Sequence, residues 1–364
     1  MNFAECPENL HFELAFGRAM RKKKADMDIV HDFRFPYSFI KSGPPPGDGR
    51  RVRCLSLEGL KTDLRGSYDL LVVLDFAKRR SCAAPFLWLL KGSSCRKRIF
   101  IANHLIPMPG HNPTADLVRK LGLMRGFDRV YMLGSDDRTL WEKMGAGPAA
   151  LRSRGYAVDC SHYRPAAIPG NARGPRGYVF AAGSAGRNFS ALAKAVKGTG
   201  LGLKVFSDGK IPALSPELAA FTEFLPLSKN LHALRGAIRG AAVVAVPVTD
   251  EHRNEAAGDT MAFLAMACGR PVVMRRTRYT ERFIRDGVNG FLYTDLSPRS
   301  LRRQLDRALS LSPAASRRLG KAARAAVLRK ASLQAFAAGL LKHERLFQAV
   351  GRGSARRIGK KVQE

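Results

Sequence analysis

Short apolar runs separated by helix-like segments organise the chain. In the first half, DLLVVLDF (Asp69–Phe76), KRIFIANH (Lys97–His104) and RVYML (Arg129–Leu133) are continuous rather than alternating. Strands of a parallel sheet read this way, because crossover helices cover both of its faces. The second half repeats the grammar, with strands expected at Tyr178–Ala181, Leu203–Phe206, Ala241–Val246 and Pro271–Met274 and helices between them. Ahead of the first run, Leu10, Leu14 and Ala15 fall on one face of an amphipathic helix. Pro165, Pro169, Gly170, Gly174 and Pro175 mark residues 163–176 as a linker. The pattern therefore predicts an α/β chain of two doubly wound, Rossmann-like domains, 1–162 and 177–331, facing each other across a cleft. Ligands in such sheets bind beyond the carboxyl ends of the strands. Residues 332–350 read as a C-terminal helix with Leu333, Phe336, Leu340, Leu341 and Leu346 near one face. Residues 351–364 have almost nothing apolar to bury and read as a basic, mobile tail.

Composition narrows the partners. A chain of 364 residues, 45% apolar and 25% charged, is long enough for two globular domains with cores of their own. Sixty-two Lys and Arg against thirty Asp and Glu leave a net charge of +32, which calls for anions nearby: nucleic acid, nucleotide phosphates or an acidic membrane. Residues 301–364 hold sixteen of the cations and three acids. The six cysteines, Cys6, Cys54, Cys82, Cys95, Cys160 and Cys268, form no C-x-x-C pair and accompany no histidine cluster. Neither a zinc site nor a disulfide framework is expected, and a reduced, cytoplasmic location is the simplest reading. No apolar run approaches the roughly 20 residues of a membrane-spanning helix, and Glu5, Glu8 and Glu13 interrupt any signal peptide.

Two segments carry candidate chemistry. In GYVFAAGSAGRNFSALAKAV (Gly177–Val196), a strand leads through Gly183, Ser184 and Gly186 to Arg187 and a helix. Glycines admit a phosphate to the backbone, a helix N-terminus presents unpaired N–H groups, and an arginine adds a charged fork. The same turn is also ordinary packing, and Arg187 alone an ordinary surface cation. The second segment runs from Val246 to Tyr293 and places Gly258, Asp259 and Thr260 at another strand-to-helix junction. Two helix ends of this kind hold a diphosphate without a metal. Asp259 reads either as part of that site or as a cap whose carboxylate takes the N–H groups a phosphate would use. Ser135, Asp136 and Asp137 read as a helix N-cap with dipole-complementing acids rather than as a metal-binding D-x-D.

The run AGDTMAFLAMACGRPVV followed by IRDGVNGFLY resembles the C-terminal domain of retaining glycosyltransferases of the two-Rossmann (GT-B) type, family four. FIANHLIP, MLGSDDRTLWEKMGAG, RGYAVDCSHYRP and VFAAGSAGRNFSALAKAVKG are similar to further family segments in the same order, so the resemblance spans Tyr68–Val350. It implies transfer of a sugar from a nucleotide diphosphate sugar, bound by the C-terminal domain, to a hydroxyl of a glycan or lipid-linked acceptor of the cell envelope or surface. Retention of configuration, independence of metals and other cofactors, and a C-terminal helix crossing back to the first domain are implied with it. By the same resemblance Arg187 neutralises donor phosphate, and Gly183, Ser184 and Gly186 line its approach. Gly258, Asp259 and Thr260 contribute to the diphosphate or sugar site, Leu225 and Pro226 match the loop receiving the base, and His104 matches a cleft histidine beside the sugar.

Two departures stand against this background. Where the family carries two glutamates eight residues apart, this chain has Ala256 and Leu264, with Glu255 next to the first. The Gly-rich loop after the first strand is also missing. An inactive or repurposed homologue therefore stays open, as do a nucleic-acid binder, though no zinc finger, basic zipper or aromatic RNA-binding sheet is present, and a sugar-nucleotide epimerase. Lys78–Arg98, with Phe86, Trp88 and seven flanking cations, reads either as a crossover helix or as an interfacial membrane helix. With Arg21, Lys22, Lys23 and Lys24 it would bring the first domain to an anionic inner membrane face, and nucleic acid is not an expected partner.

Overall fold

The structure is a computed structural model. It describes residues 27–31, 52–56, 70–74, 97–101, 113–132, 138–153, 156–166, 177–184, 186–227, 230–249, 256–332 and 335–336. The expected N-terminal helix, most of Lys78–Arg98, His104, Ser135–Asp137, Glu255, most of 332–350 and the basic tail lie outside these residues.

The first sheet is built from β1 (Met27–His31), β2 (Val52–Ser56), β3 (Leu70–Leu74), β4 (Lys97–Ile101), β5 (Arg129–Met132) and β6 (Leu151–Ser153), in the order β2-β1-β3-β4-β5-β6. Every pairing is parallel. Helix α1 (Pro113–Lys120) lies between β4 and β5 in the chain, and α2 (Arg138–Lys143) between β5 and β6. The three runs read as strands are β3, β4 and β5, with slightly shorter bounds. Strands β1, β2 and β6 are additional: Asp28 and Arg53 interrupt their apolar character, and β2 and β6 are edges that need bury less. Phe100 anchors this half, its ring 5.4 Å from Phe127 edge-on and 5.2 Å from the indole of Trp141.

The second half contains β7 (Val179–Ala182), α3 (Phe189–Val196), β8 (Leu203–Phe206), α4 (Pro216–Ala219), β9 (Thr222–Leu225), α5 (Leu231–Gly240), β10 (Val243–Val246), α6 (Asp259–Ala267), β11 (Val272–Arg275), β12 (Phe291–Tyr293), α7 (Pro298–Leu309) and α8 (Pro313–Lys330). Its parallel sheet has the order β12-β11-β10-β7-β8-β9. Connections run one way from β7 and the other way from β10, so the strand order reverses between these two neighbours. A crevice opens at such a reversal, outside the carboxyl ends of the strands. All four residues of β7 and of β10 are buried, which accounts for their uninterrupted apolar sequences. Side chains close the helix starts: Asn188 accepts the Ala191 N–H, Ser297 that of Ser300 and Ser312 that of Ala315.

The passage between the sheets lies along the second one. The Val158 N–H donates to the Ala331 carbonyl at 2.9 Å, and Val158 and Cys160 join the second core. The Arg324 guanidinium donates to the carbonyls of Cys160, Tyr163 and Ala267, tying this passage to α6 and α8. Among the described residues no helix is long and apolar enough to cross a membrane.

Candidate functional site

Beyond β7 the chain turns through Gly183 (φ +136°) and Gly186 (φ +60°), backbone that L side chains rarely adopt. It is then stitched to the segment leaving β10. The Thr249 N–H donates to the Gly186 carbonyl at 3.1 Å and the Asn188 N–H to the Pro247 carbonyl at 2.8 Å, with Arg187 paired to Val248 between them. Tyr293, at the end of β12, fixes the other side: its hydroxyl donates to the Val246 carbonyl at 2.9 Å and accepts the Val248 N–H at 3.1 Å. Ser184 Oγ accepts the Asp208 N–H at 2.9 Å, so the turn is also held to the loop after β8.

Arg187 occupies the gap this creates. A Cβ on Gly183 would lie 2.7 Å from its Nε and 2.9 Å from Nη2, and one on Gly258 would lie 3.5 Å from Nη2. The guanidinium therefore covers one glycine turn and reaches the other, across the strand reversal. Burial lowers the Arg187 pKa, while Tyr293 and Asp259 act in the opposite direction. A guanidinium remains charged regardless, and when partly withdrawn from water it attracts an arriving anion more strongly.

Gly258 (φ +88°) stands at the start of α6, where a side chain would collide with Val246. The next residue, Asp259, is only 5% exposed. Its carboxylate accepts the Tyr279 hydroxyl at 2.9 Å together with the backbone amides of Thr260 and Tyr156. Burial pushes its pKa up to about 6, against the lowering effect of these donors and of Arg187. The Asp259 carboxylate thus takes the Thr260 amide, one of the N–H groups a phosphate would use. Thr260 is partly exposed at that turn, and Gly258 is buried beside it.

Leu225 and Pro226 lie at the end of β9, two strands from β7 and so about 10 Å along the same carboxyl edge. The Leu225 carbonyl accepts the Ser207 N–H at 2.9 Å, which fixes the β9 exit against β8. Ala256 and Leu264 are buried in the second core. Tyr156, Tyr279 and Tyr293 were not singled out by sequence reasoning. Tyr293 ends the GFLY run, but neither spacing nor charge marks Tyr279 or Tyr156. Among the described residues no three His, Cys, Asp or Glu side chains group to hold a metal.

Substituting Gly183 tests the arrangement. Gly183→Ala should cost about 1 kcal/mol or more in stability from backbone strain alone, and should also displace the Arg187 guanidinium. Denaturant unfolding checks the first effect and anion binding the second.

The fold is shared with solved two-Rossmann (GT-B) glycosyltransferase structures. HepE from Anabaena in complex with UDP and glucose superposes with a TM-score of 0.57 at 13% identity, covering 88% of this chain and 100% of that one. A glycosyltransferase from Rickettsia africae gives 0.54 at 12% identity over 78% of each chain. The apo lipopolysaccharide outer core galactosyltransferase WaaB gives 0.52 at 12% identity, covering 88% and 99%. At these identities the likeness is one of fold. In sequence, residues 238–342, from the end of α5 past α8, match the family model described as "Glycosyl transferase-like". No curated protein sequence matches the chain.

Proposed function

We propose that the chain is a glycosyltransferase that moves a sugar from a nucleoside diphosphate to an acceptor hydroxyl. The observation that carries this reading is the Arg187 guanidinium set between Gly183 and Gly258 at the point of strand reversal. Support for a nucleotide-sugar donor comes from the shared fold and from HepE, whose structures contain UDP or UDP-glucose. In the reaction the bond from the sugar C1 to the diphosphate oxygen breaks and a bond to the acceptor oxygen forms. The acceptor proton leaves with the diphosphate. Negative charge builds on the departing β-phosphate, where Arg187 and the N-terminal end of α6 offset it without requiring a metal.

The finer assignments belong to the same proposal. They are membership of family four with retention of configuration, a base held near Leu225 and Pro226, and His104 beside the sugar. The acceptor is a cell-envelope or surface glycan or a lipid-linked saccharide, met in the cytoplasm at the inner membrane face. One observation favours a second reading, a nucleotide-binding homologue without transferase activity: Ala256 and Leu264 are packed into the core where the family carries glutamates.

Thermal melting with UDP, GDP, ADP and their sugar conjugates, followed by assay of released nucleoside diphosphate, tests both. Stabilisation with release supports the transferase, and stabilisation without release under any acceptor supports the second reading. A response only to an oligonucleotide contradicts both.

A further inference from the structure

Helix α8 carries a surface that nothing in the donor site requires. Its 18 residues include six Lys and Arg and no acid, and it extends about 27 Å. One face packs inward through Leu319, Gly320, Ala323, Ala326 and Val327. On the opposite face Arg317, Arg318, Lys321, Ala325, Leu328 and Arg329 recur at three- and four-residue spacing, and all are exposed. On the preceding helix Arg302 holds Asp306 and Arg307 holds Asp286. Arg317, Arg318, Lys321 and Arg329, by contrast, make no hydrogen bond or ion pair among the described residues. Leu328 stands among them 44% exposed.

We propose that this face of α8 docks the protein on an anionic lipid bilayer. Unpaired cations along a rigid helix complement a surface of acidic headgroups, and each contributes independently near that surface. The exposed leucine has somewhere to go at a headgroup boundary. Against a nucleic acid it would face phosphates, and the stripe offers no aromatic or amide side chain for stacking on bases or reading their edges. The inference does not depend on the transferase reading, and it places contact on the second half of the chain rather than on the N-terminal cations.

Vesicle sedimentation of the full chain tests it, comparing phosphatidylcholine alone with a mixture containing roughly 30% phosphatidylglycerol at moderate salt. Binding is expected only to the mixture. Replacing Arg317, Arg318 and Lys321 with Gln should lower that binding at least about tenfold while leaving the melting temperature unchanged, since none of the three is bonded. Replacing Arg119, Lys120 and Arg125 with Gln removes the same charge from exposed positions of the first half and should have a much smaller effect. The proposal is overturned if neutral vesicles bind as well, if the α8 variant binds like the unaltered chain, or if both variants lose equally. It is also overturned if the α8 variant loses binding to a duplex oligonucleotide while keeping its hold on vesicles.

Discussion

Arg187→Ala is expected to weaken binding of the donor diphosphate roughly ten- to hundredfold, the equivalent of one charged hydrogen-bonded contact at about 1.5–3 kcal/mol. The size follows from where the guanidinium lies. It lies against the glycine turn at Gly183 and reaches the one at Gly258, and burial has already removed much of its water. An anion arriving there restores the solvation the cation has given up. Arg187→Lys should fall between, keeping the charge but losing the planar fork that two phosphate oxygens accept. Folding should survive in both variants, because the 186–188 and 247–249 segments are joined by backbone hydrogen bonds rather than by this side chain. Calorimetric titration alongside denaturant unfolding separates the two effects. Unchanged affinity with an unchanged fold would remove Arg187 from the site.

Asp259→Asn should raise stability at neutral pH by up to about 3 kcal/mol and change it little near pH 4. The folded carboxyl has a pKa of about 6 against an ordinary value of 3.8. The native state therefore binds this proton more tightly than the unfolded chain. Stability contributed by the group is complete below the unfolded value and is lost as pH rises through about 6. Roughly two units at 1.36 kcal/mol each give the expected magnitude. Asparagine avoids the buried charge and its carbonyl can accept the Tyr279 hydroxyl, but its NH2 group cannot accept the backbone amides that the carboxylate did, which makes about 3 kcal/mol the ceiling. Urea unfolding at both pH values checks this. A variant less stable at neutral pH would mean that the ionised Asp259 gains more from Arg187 and Tyr279 than burial costs it.

The sequence pattern reached furthest where burial is complete. Strands β7 and β10 are apolar at every position because helices cover both faces, so their runs and the glycine turns that follow were readable without the structure. Edges were harder: β9, none of whose residues is fully buried, and the three-residue β6 and β12 carry too little apolar sequence to stand out. Within the site, Gly183, Gly186, Arg187 and Gly258 could be named because glycine and arginine have few ways to serve a strand-to-helix turn. Their meeting could not, since it depends on the reversal that makes β7 and β10 neighbours across about sixty residues of chain. Asp259 shows the limit most clearly. Its position in sequence fits a ligand contact or a cap, and only the structure supplies the partners at its carboxylate, the Tyr279 hydroxyl and the Tyr156 and Thr260 amides.

On the proposed function, Arg187, between Gly183 and Gly258, holds a nucleoside diphosphate through its terminal phosphate. Calorimetric titration of the unaltered chain with the mono- and diphosphates of uridine, guanosine and adenosine tests this most directly. One diphosphate should bind at least about tenfold more tightly than its monophosphate, as one lost charged contact requires. Equal binding of the two, or no binding of any diphosphate, would contradict it.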